Sequence, residues 1–437
     1  MNQTQKRSFE DWVEKLYHLP RYGKSLTLDR MSLLLEKLGN PQKKFPAILI
    51  GGTNGKGSVA SFCHSILYHS EYHAGLFTSP HFYDVRERFK IGNRLISKQE
   101  FCSIMEILWP AVKELQKEDM CPSGFEAFTA IAFLAFARAH IQIAVLEVGL
   151  GGRFDPTSLA KKIAAVITNI GEDHIPLLGE TKEELLLEKL GITEGGIPLF
   201  SGEKDELLKK IIMDVGEKKG FPVYFWGDDF SGDILVTSLK GQCLRITTPF
   251  YDYDHLFCPL LGYYQVENLA TALSLIDYLR RFKGYLFSLT CIEKGIKRTD
   301  WPGRIEILST EPLVIVDAAH NPPGMERMVE SVKDIIQGKK TLIVAGFSAD
   351  KPYGQMLDSL HHLQGDFIFT QASYRGAPIE NLKEVALKKG FQGCWTSSLE
   401  EAFQVVKAKI PDYQALLICG GLFLAAEARQ KIFQVFS

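Results

Sequence analysis

With 437 residues the chain is long enough for two or three domains with cores of their own, and too long for a peptide or a disulfide-stapled miniprotein. Fifty Lys and Arg against 52 Asp and Glu give a formal net charge of −2, so there is no basic excess to neutralise many phosphates, which argues against a dedicated nucleic-acid binder. At 46% hydrophobic and 23% charged residues, the composition is that of an ordinary soluble globular protein.

The first residues, Met1 to Glu14, alternate charged and polar types with no apolar run ahead of a small-residue cleavage site, so no secretory signal is expected and the protein is read as cytoplasmic. Residues 47–50 (Ala-Ile-Leu-Ile) form a buried strand, Gly51 to Gly57 a glycine-rich turn, and an apolar helix begins near Ser58. The longest apolar stretch, Ala130 to Val148, is interrupted by Arg138, His140, Gln142 and Glu147, too polar to span a bilayer. Short apolar strands recur at 144–148 and 164–168, which predicts a mostly parallel sheet covered on both faces. From Phe221 to Leu261 the chain turns rich in Val, Tyr, Phe, Thr and Asp with turn signals, predicting a small patch of hairpins, and helical sequence returns at 268–282. After Lys297 a second α/β rhythm sets in, with strands predicted at 313–316, 341–345, 366–370 and 415–419. The eight cysteines stand singly with no metal-ligand spacing and are expected to be mostly reduced core residues. The expected fold class is α/β. Residues 1–298 form an N-terminal P-loop-type parallel-sheet domain with a small added β patch, and residues 299–437 a second, smaller Rossmann-like α/β domain.

Residues 51–58, Gly-Gly-Thr-Asn-Gly-Lys-Gly-Ser, lie between a strand and a helix. Glycines let the backbone curl so that N–H groups face phosphate oxygens, the helix N-terminus adds a favourable dipole, and Lys56 brings a point charge. The candidate nucleotide-binding set is therefore Gly52, Thr53, Asn54, Gly55, Lys56, Gly57 and Ser58. The loop departs from the common G-x-x-x-x-G-K-[ST] pattern, because Gly57 intervenes between Lys56 and Ser58. Ser79, Glu147 and His174 each fall just past a strand or in the following loop, and an oxygen-rich set facing phosphates suits Mg²⁺. Taken singly, Glu147 could cap a loop, His174 could be structural, and Lys189 reads as a solvated lysine among Glu183, Glu184 and Glu188.

The loop Gly-Thr-Asn-Gly-Lys-Gly-Ser, followed by T-S-P-H (78–81), R-E-R (86–88), L-E-V-G-L-G-G-R-F-D (146–155), G-E-D-H (171–174), E-K-L-G-I (188–192), Q-V-E-N (265–268), W-P-G-R (301–304) and D-A-A-H-N-P (317–322), resembles the folylpolyglutamate synthase and dihydrofolate synthase family, a branch of the Mur ligases. The resemblance spans roughly residues 20 to 430 in order and rests on the series of motifs rather than on any one of them. It implies that Ser79, Glu147 and His174 hold the catalytic metal and that Lys189 is carbamylated on its amine to hold a second Mg²⁺. It further implies that Asn268, Arg304, Asp317 and His320 contact the nucleotide or the reacting phosphoryl group, with Lys56, Lys189 and His320 as the catalytic set. Turn chemistry alone could also account for Asp317 and Asn321 ahead of Pro322-Pro323.

By the same resemblance, Phe125 and Asp155 embrace a pterin. Pro156 stands where the family has a small residue, and could reshape the wall of that site or be a harmless loop proline. Tyr264-Gln265 replaces the usual His-Gln, and Cys419-Gly420-Gly421 an often-seen T-G-S. The implied activity is ATP-dependent amide formation between a dihydropteroate or reduced-folate carboxylate and L-glutamate through an acyl phosphate, by a monomer acting on both acceptors, with no nucleic acid or membrane as partner. Two rivals are a Mur-type ligase acting on a cell-wall precursor and a P-loop NTPase that uses nucleotide as a switch.

Overall fold

The computed structural model describes residues 7–21, 27–171, 179 and 181–433. The chain divides into two compact units, the first comprising 1–231, 246–252 and 267–298, the second 232–245, 253–266 and 299–437. Most of the β patch expected in the first domain thus groups with the second unit.

The first unit is built on β1 (Pro46–Gly51), β2 (Ala74–Phe77), β3 (Phe89–Ile91), β4 (Arg94–Leu95), β5 (Ile143–Glu147), β6 (Lys161–Ile167), β7 (Leu199–Ser201) and β8 (Val223–Phe225), in the spatial order β4-β3-β2-β5-β1-β6-β7-β8. From β2 across to β8 all pairings are parallel; β3 and β4 extend the other edge antiparallel. The central strands are apolar and buried along their length, as helices on both faces require. The chain fills one side of β1 before crossing to the other, so β1 sits where the strand order reverses, the place where open α/β sheets bind ligands. β8 corrects the sequence reading: Val223–Phe225 is not part of a hairpin but pairs parallel with β7 after the crossover helix Glu206–Lys219. Fully buried phenylalanines, among them Phe62, Phe77, Phe89, Phe101, Phe133 and Phe136, fill the core.

A separate three-stranded sheet, β11-β10-β9, follows, made of β9 (Ser231–Ser238), β10 (Gly241–Thr247) and β11 (Asp252–Cys258). In the second unit, β12 (Glu306–Thr310), β13 (Leu313–Val316), β14 (Thr341–Ala345), β15 (Asp366–Phe369), β16 (Gly393–Trp395) and β17 (Ala415–Cys419) stand in the order β12-β13-β17-β14-β15-β16. All its pairings are parallel except β12 with β13. All eight cysteines are free, but only Cys63, Cys258 and Cys419 are buried; the rest are partly exposed, against the expectation of mostly core residues. Among the described residues no helix is long and apolar enough to cross a membrane.

Candidate active site

Register places the site. Ile50 pairs with Glu147, Gly51 with Ile167, and Phe77 with Leu146, so β1, β2, β5 and β6 all end along one edge of the sheet. The loops carrying the first unit's predicted residues leave from that edge at 51–58, 78–82 and 147–155. His174 lies outside the described residues.

The phosphate loop is tied to the end of β6. Thr53 N–H donates to the Asn169 carbonyl (2.9 Å) and Asn54 N–H to Asn169 Oδ1 (3.1 Å), while Asn169 Nδ2 donates back to the Asn54 carbonyl (3.0 Å). Gly171 N–H reaches Thr53 Oγ1 at 3.0 Å, and that hydroxyl faces the Gly171 carbonyl at 3.2 Å. Ile170 N–H in turn donates to the buried Glu203 carboxylate (2.8 Å). Thr53 and Asn54 therefore use their N–H groups inside the protein. The donors left for phosphate belong to the start of the helix Lys56–His69, whose N-cap, Gly55, adopts a left-handed φ of 87° and supplies no side-chain cap. A Cβ on Gly55 would run into Asn268 Oδ1, so glycine is required there and the Asn268 amide lies on the loop.

Two lysines meet behind this loop. Lys56 Nζ donates to the carbonyls of Gly52 (3.1 Å) and Thr53 (2.9 Å), and Lys189 Nζ donates to the same Gly52 carbonyl (3.2 Å). Lys189 is only 6% exposed, which overturns its reading as a solvated lysine. It is held down because its helix, Lys182–Lys189, docks on the loop after β5, where Arg153 N–H donates to the Glu188 carbonyl (2.9 Å).

Glu147 ends β5, is buried, and accepts the Ser79 N–H at 2.9 Å. It thus does cap a neighbouring loop, and in doing so brings its carboxylate beside Ser79.

Phe125 stands in a capping box, Ser123 to Glu126, at the start of the helix Gly124–Arg138. Its ring packs onto Gly149, where any side chain would collide with it, and tilts against Phe77 with centroids 6.0 Å apart. Asp155 reaches the same segment from below. One carboxylate oxygen accepts Gly149 N–H (2.9 Å) and Leu150 N–H (3.0 Å); the other accepts Thr157 N–H (3.0 Å) and its hydroxyl (2.5 Å). The carboxyl is 2% exposed, and burial raises its pKa against those hydrogen bonds. Asp155 therefore holds its own loop, the segment that the resemblance assigns to a pterin. Pro156 begins the short helical turn that Asp155 caps, a position where a missing N–H costs nothing.

In the second unit, Asp317 follows β13 and is buried, its carboxylate accepting N–H groups of Ile305 (2.9 Å) and Ala319 (2.7 Å). Burial raises its pKa, opposed by the charge of Arg304, whose Nη1 donates to the Gly303 carbonyl at 2.8 Å. His320 Nδ1 lies 3.0 Å from the Ala318 carbonyl and so donates its N–H there. Asn321 caps the helix Pro322–Ile335, the turn role that sequence reading had left open. Gly171 was quoted only as the first residue of the G-E-D-H motif, and Asn169 and Glu203 were not picked out from sequence, the only signal being that each follows a strand end.

Residues 50–276 match the Mur ligase middle domain and residues 303–422 the Mur ligase glutamate ligase domain, which makes the class that of the Mur-type ligases. The chain is 30% identical over 435 residues to the dihydrofolate synthase/folylpolyglutamate synthase of Bacillus subtilis, covering 97% of this chain and 99% of that one. Among solved structures, Mycobacterium tuberculosis folylpolyglutamate synthase complexed with ADP superposes with a TM-score of 0.89 at 27% identity, covering 97% of each chain. Escherichia coli FolC in complex with DHPP and ADP gives 0.85 at 28% identity, covering 99% of each. The chain belongs to the dihydrofolate synthase/folylpolyglutamate synthase family.

Proposed function

We propose that this protein is an ATP-dependent ligase that joins L-glutamate to the carboxylate of dihydropteroate and of reduced folates. One observation carries the reading: the loop after β1 is locked to β6, opens into an uncapped helix N-terminus, and gathers two ammonium groups on the Gly52 carbonyl. Such a cradle suits a nucleotide's phosphates. The ADP complexes of the Mycobacterium and Escherichia relatives support ATP as the nucleotide, and the DHPP in the second supports a pterin-bearing acceptor.

The helix N-terminus and Lys56 hold the phosphates and stabilise charge on the transferring γ-phosphoryl. An acceptor carboxylate oxygen attacks the γ-phosphorus, ADP leaves, and an acyl phosphate forms. The glutamate amine then attacks the acyl carbon, inorganic phosphate leaves, and the amide remains. No protein nucleophile is needed, so the residues contribute positioning and electrostatics. The Ser79 hydroxyl and the buried carboxylate of Glu147, which accepts the Ser79 N–H, are hard oxygen donors of the kind that suits Mg²⁺, and by the resemblance His174 would join them. Mg²⁺ bound there would neutralise phosphate charge. Lys189, whose amine shares the Gly52 carbonyl with Lys56, would hold a second Mg²⁺ if carbamylated. In the second unit, Arg304, Asp317 and His320 present a cation, a carboxylate and an imidazole suited to nucleotide and phosphoryl contacts.

The test measures ADP release with dihydropteroate, with tetrahydrofolate and with neither, each with and without L-glutamate. Release that needs both acceptor and glutamate is expected. Hydrolysis indifferent to both would replace the ligase with a nucleotide switch.

A further inference from the structure

The R-E-R segment leaves one charge over. Arg86 pairs with Asp84 (2.6 Å), and both oxygens of Glu87 accept backbone N–H groups, from Phe82 (2.7 Å), Tyr83 (3.1 Å) and Asp84 (3.0 Å). Neither carboxylate is hydrogen-bonded to Arg88, which is 9% exposed. Its Nε donates to His81 Nδ1 at 2.8 Å, so the ring carries its proton on Nε2, which lies 3.1 Å from the Tyr17 hydroxyl. Because Nδ1 accepts that bond, the ring is neutral and lends Arg88 no charge. Burial lowers Arg88 itself to about 10, still a full cation at neutral pH.

The guanidinium carbon lies over the Phe128 ring, 4.6 Å from its centroid, with the Tyr17 ring packed edge-on against that phenylalanine. Among the described residues its two Nη groups have no hydrogen-bond partner, and neither is sealed away from solvent. A buried guanidinium without a carboxylate on it is costly, and a fork of free N–H donors matches a carboxylate in two-point geometry. Thr78 N–H donates to the Arg88 carbonyl (3.2 Å), which puts this fork's backbone against the strand end that carries Ser79.

We propose that Arg88 is the anion-recognition residue for the acceptor acid: its two Nη groups bind the carboxylate of the aromatic acceptor, with Phe128 backing the guanidinium and His81 and Tyr17 fixing its plane. This rests on the ligase reading above. It makes Arg88, rather than any residue of the phosphate loop, the group that tells a carboxylate from its neutral isostere.

The experiment titrates full-length protein with pteroic acid and with its carboxamide, in wild type, Arg88→Gln and Arg88→Lys, with a thermal melt to verify folding. Wild type should bind the acid at least about tenfold more tightly than the amide, R88Q should bind the two alike, and R88K, which keeps the charge but not the fork, should fall between. In turnover, R88Q should raise KM for the acceptor about tenfold while KM for ATP stays within about twofold. A folded R88Q that keeps the wild-type preference for the acid overturns the assignment, as does a wild type that binds acid and amide equally or binds neither. The ligase reading fails separately, when wild type releases no ADP in response to any acceptor. If R88Q does not fold, R88K alone decides by the same comparison.

Discussion

Asn169 and Asn54 exchange two hydrogen bonds, N–H to Oδ1 at 3.1 Å and Nδ2–H to carbonyl at 3.0 Å, and this amide pair sets the shape of the phosphate loop. Loops that bind phosphate through backbone donors bind best when already curled, because little conformational entropy is then lost on binding. The clamp also decides which donors stay available, by occupying those of Thr53 and Asn54 and leaving those that open the helix at Lys56.

Asn169→Ala should therefore raise KM for ATP about tenfold and cost about 1–2 kcal/mol of stability, the net worth of two hydrogen bonds. Asn169→Asp keeps the acceptor for Asn54 N–H but loses the donor, and should fall between. Steady-state kinetics with ATP varied, together with a nucleotide titration, checks this; ATP kinetics of N169A within twofold of wild type would show that the loop keeps its shape without the clamp.

Lys56→Ala should abolish ligation and leave the fold intact. The side chain is only partly buried and bonds two carbonyls of its own loop, so its removal opens no core cavity. The barrier should rise by several kcal/mol, on the scale of the largest single electrostatic contributions in active sites. Turnover by a protein that melts within about 1 kcal/mol of wild type measures it.

The glycine loop was legible because its chemistry is local: strand, glycines, lysine and helix lie within about fifteen consecutive residues, and periodicity reports each element. The long apolar strands β5, β6, β13, β14 and β17 were legible for the same reason, since a strand buried on both faces is a plain hydrophobic run. β8 was not, because Val-Tyr-Phe ahead of a Gly-Asp-Asp turn looks like a hairpin strand, and only the crossover helix Glu206–Lys219 makes it parallel. Lys189 was misread alone because its burial comes from Arg153 bonding the carbonyls of Glu188 and of Leu187, the latter 34 positions away in sequence, which no local pattern encodes. Asn169 could not be told from an ordinary turn asparagine, since its partner lies 115 residues away.

Stability should fall with acidification below about pH 6.5. His64 is buried, and desolvation holds its folded pKa down to about 3; His81 is held at about 3 by burial and by Arg88. The unfolded chain binds protons at the ordinary histidine value near 6.5, so between about 6.5 and 3 it takes up protons that the folded protein refuses. The stability contributed by the neutral rings is fully present above about pH 6.5 and is lost as pH falls toward 3. Thermal melts from pH 8 to 4 should show the decline, with a shallower slope in His64→Leu; an unchanged slope would remove His64 from the account.

Asp155 separates two accounts of the segment after Glu147. Its carboxylate is buried and accepts four hydrogen bonds from residues 149 to 157. Gly149, which one of those oxygens fixes, is also the residue on which the Phe125 ring rests, so Asp155 positions the floor beneath that ring. Removing the carboxylate strands the part-buried N–H groups of Gly149 and Leu150 and the buried N–H and hydroxyl of Thr157, each costing on the order of 1–3 kcal/mol if left unpaired, with partial relief from water. Asp155→Ala should then lower stability by about 2–4 kcal/mol and reduce glutamate coupling to dihydropteroate and to tetrahydrofolate in similar proportion, because both acceptors would share the same distorted wall. Asp155→Asn keeps an acceptor oxygen for part of the loop and should restore some activity toward both. Were the carboxylate instead a direct partner of a pterin's N–H groups, the shorter acceptor, with fewer other contacts, would suffer more. Rates for both acceptors, measured on folded variants, decide: a loss for dihydropteroate at least tenfold greater than for tetrahydrofolate would return Asp155 to the substrate.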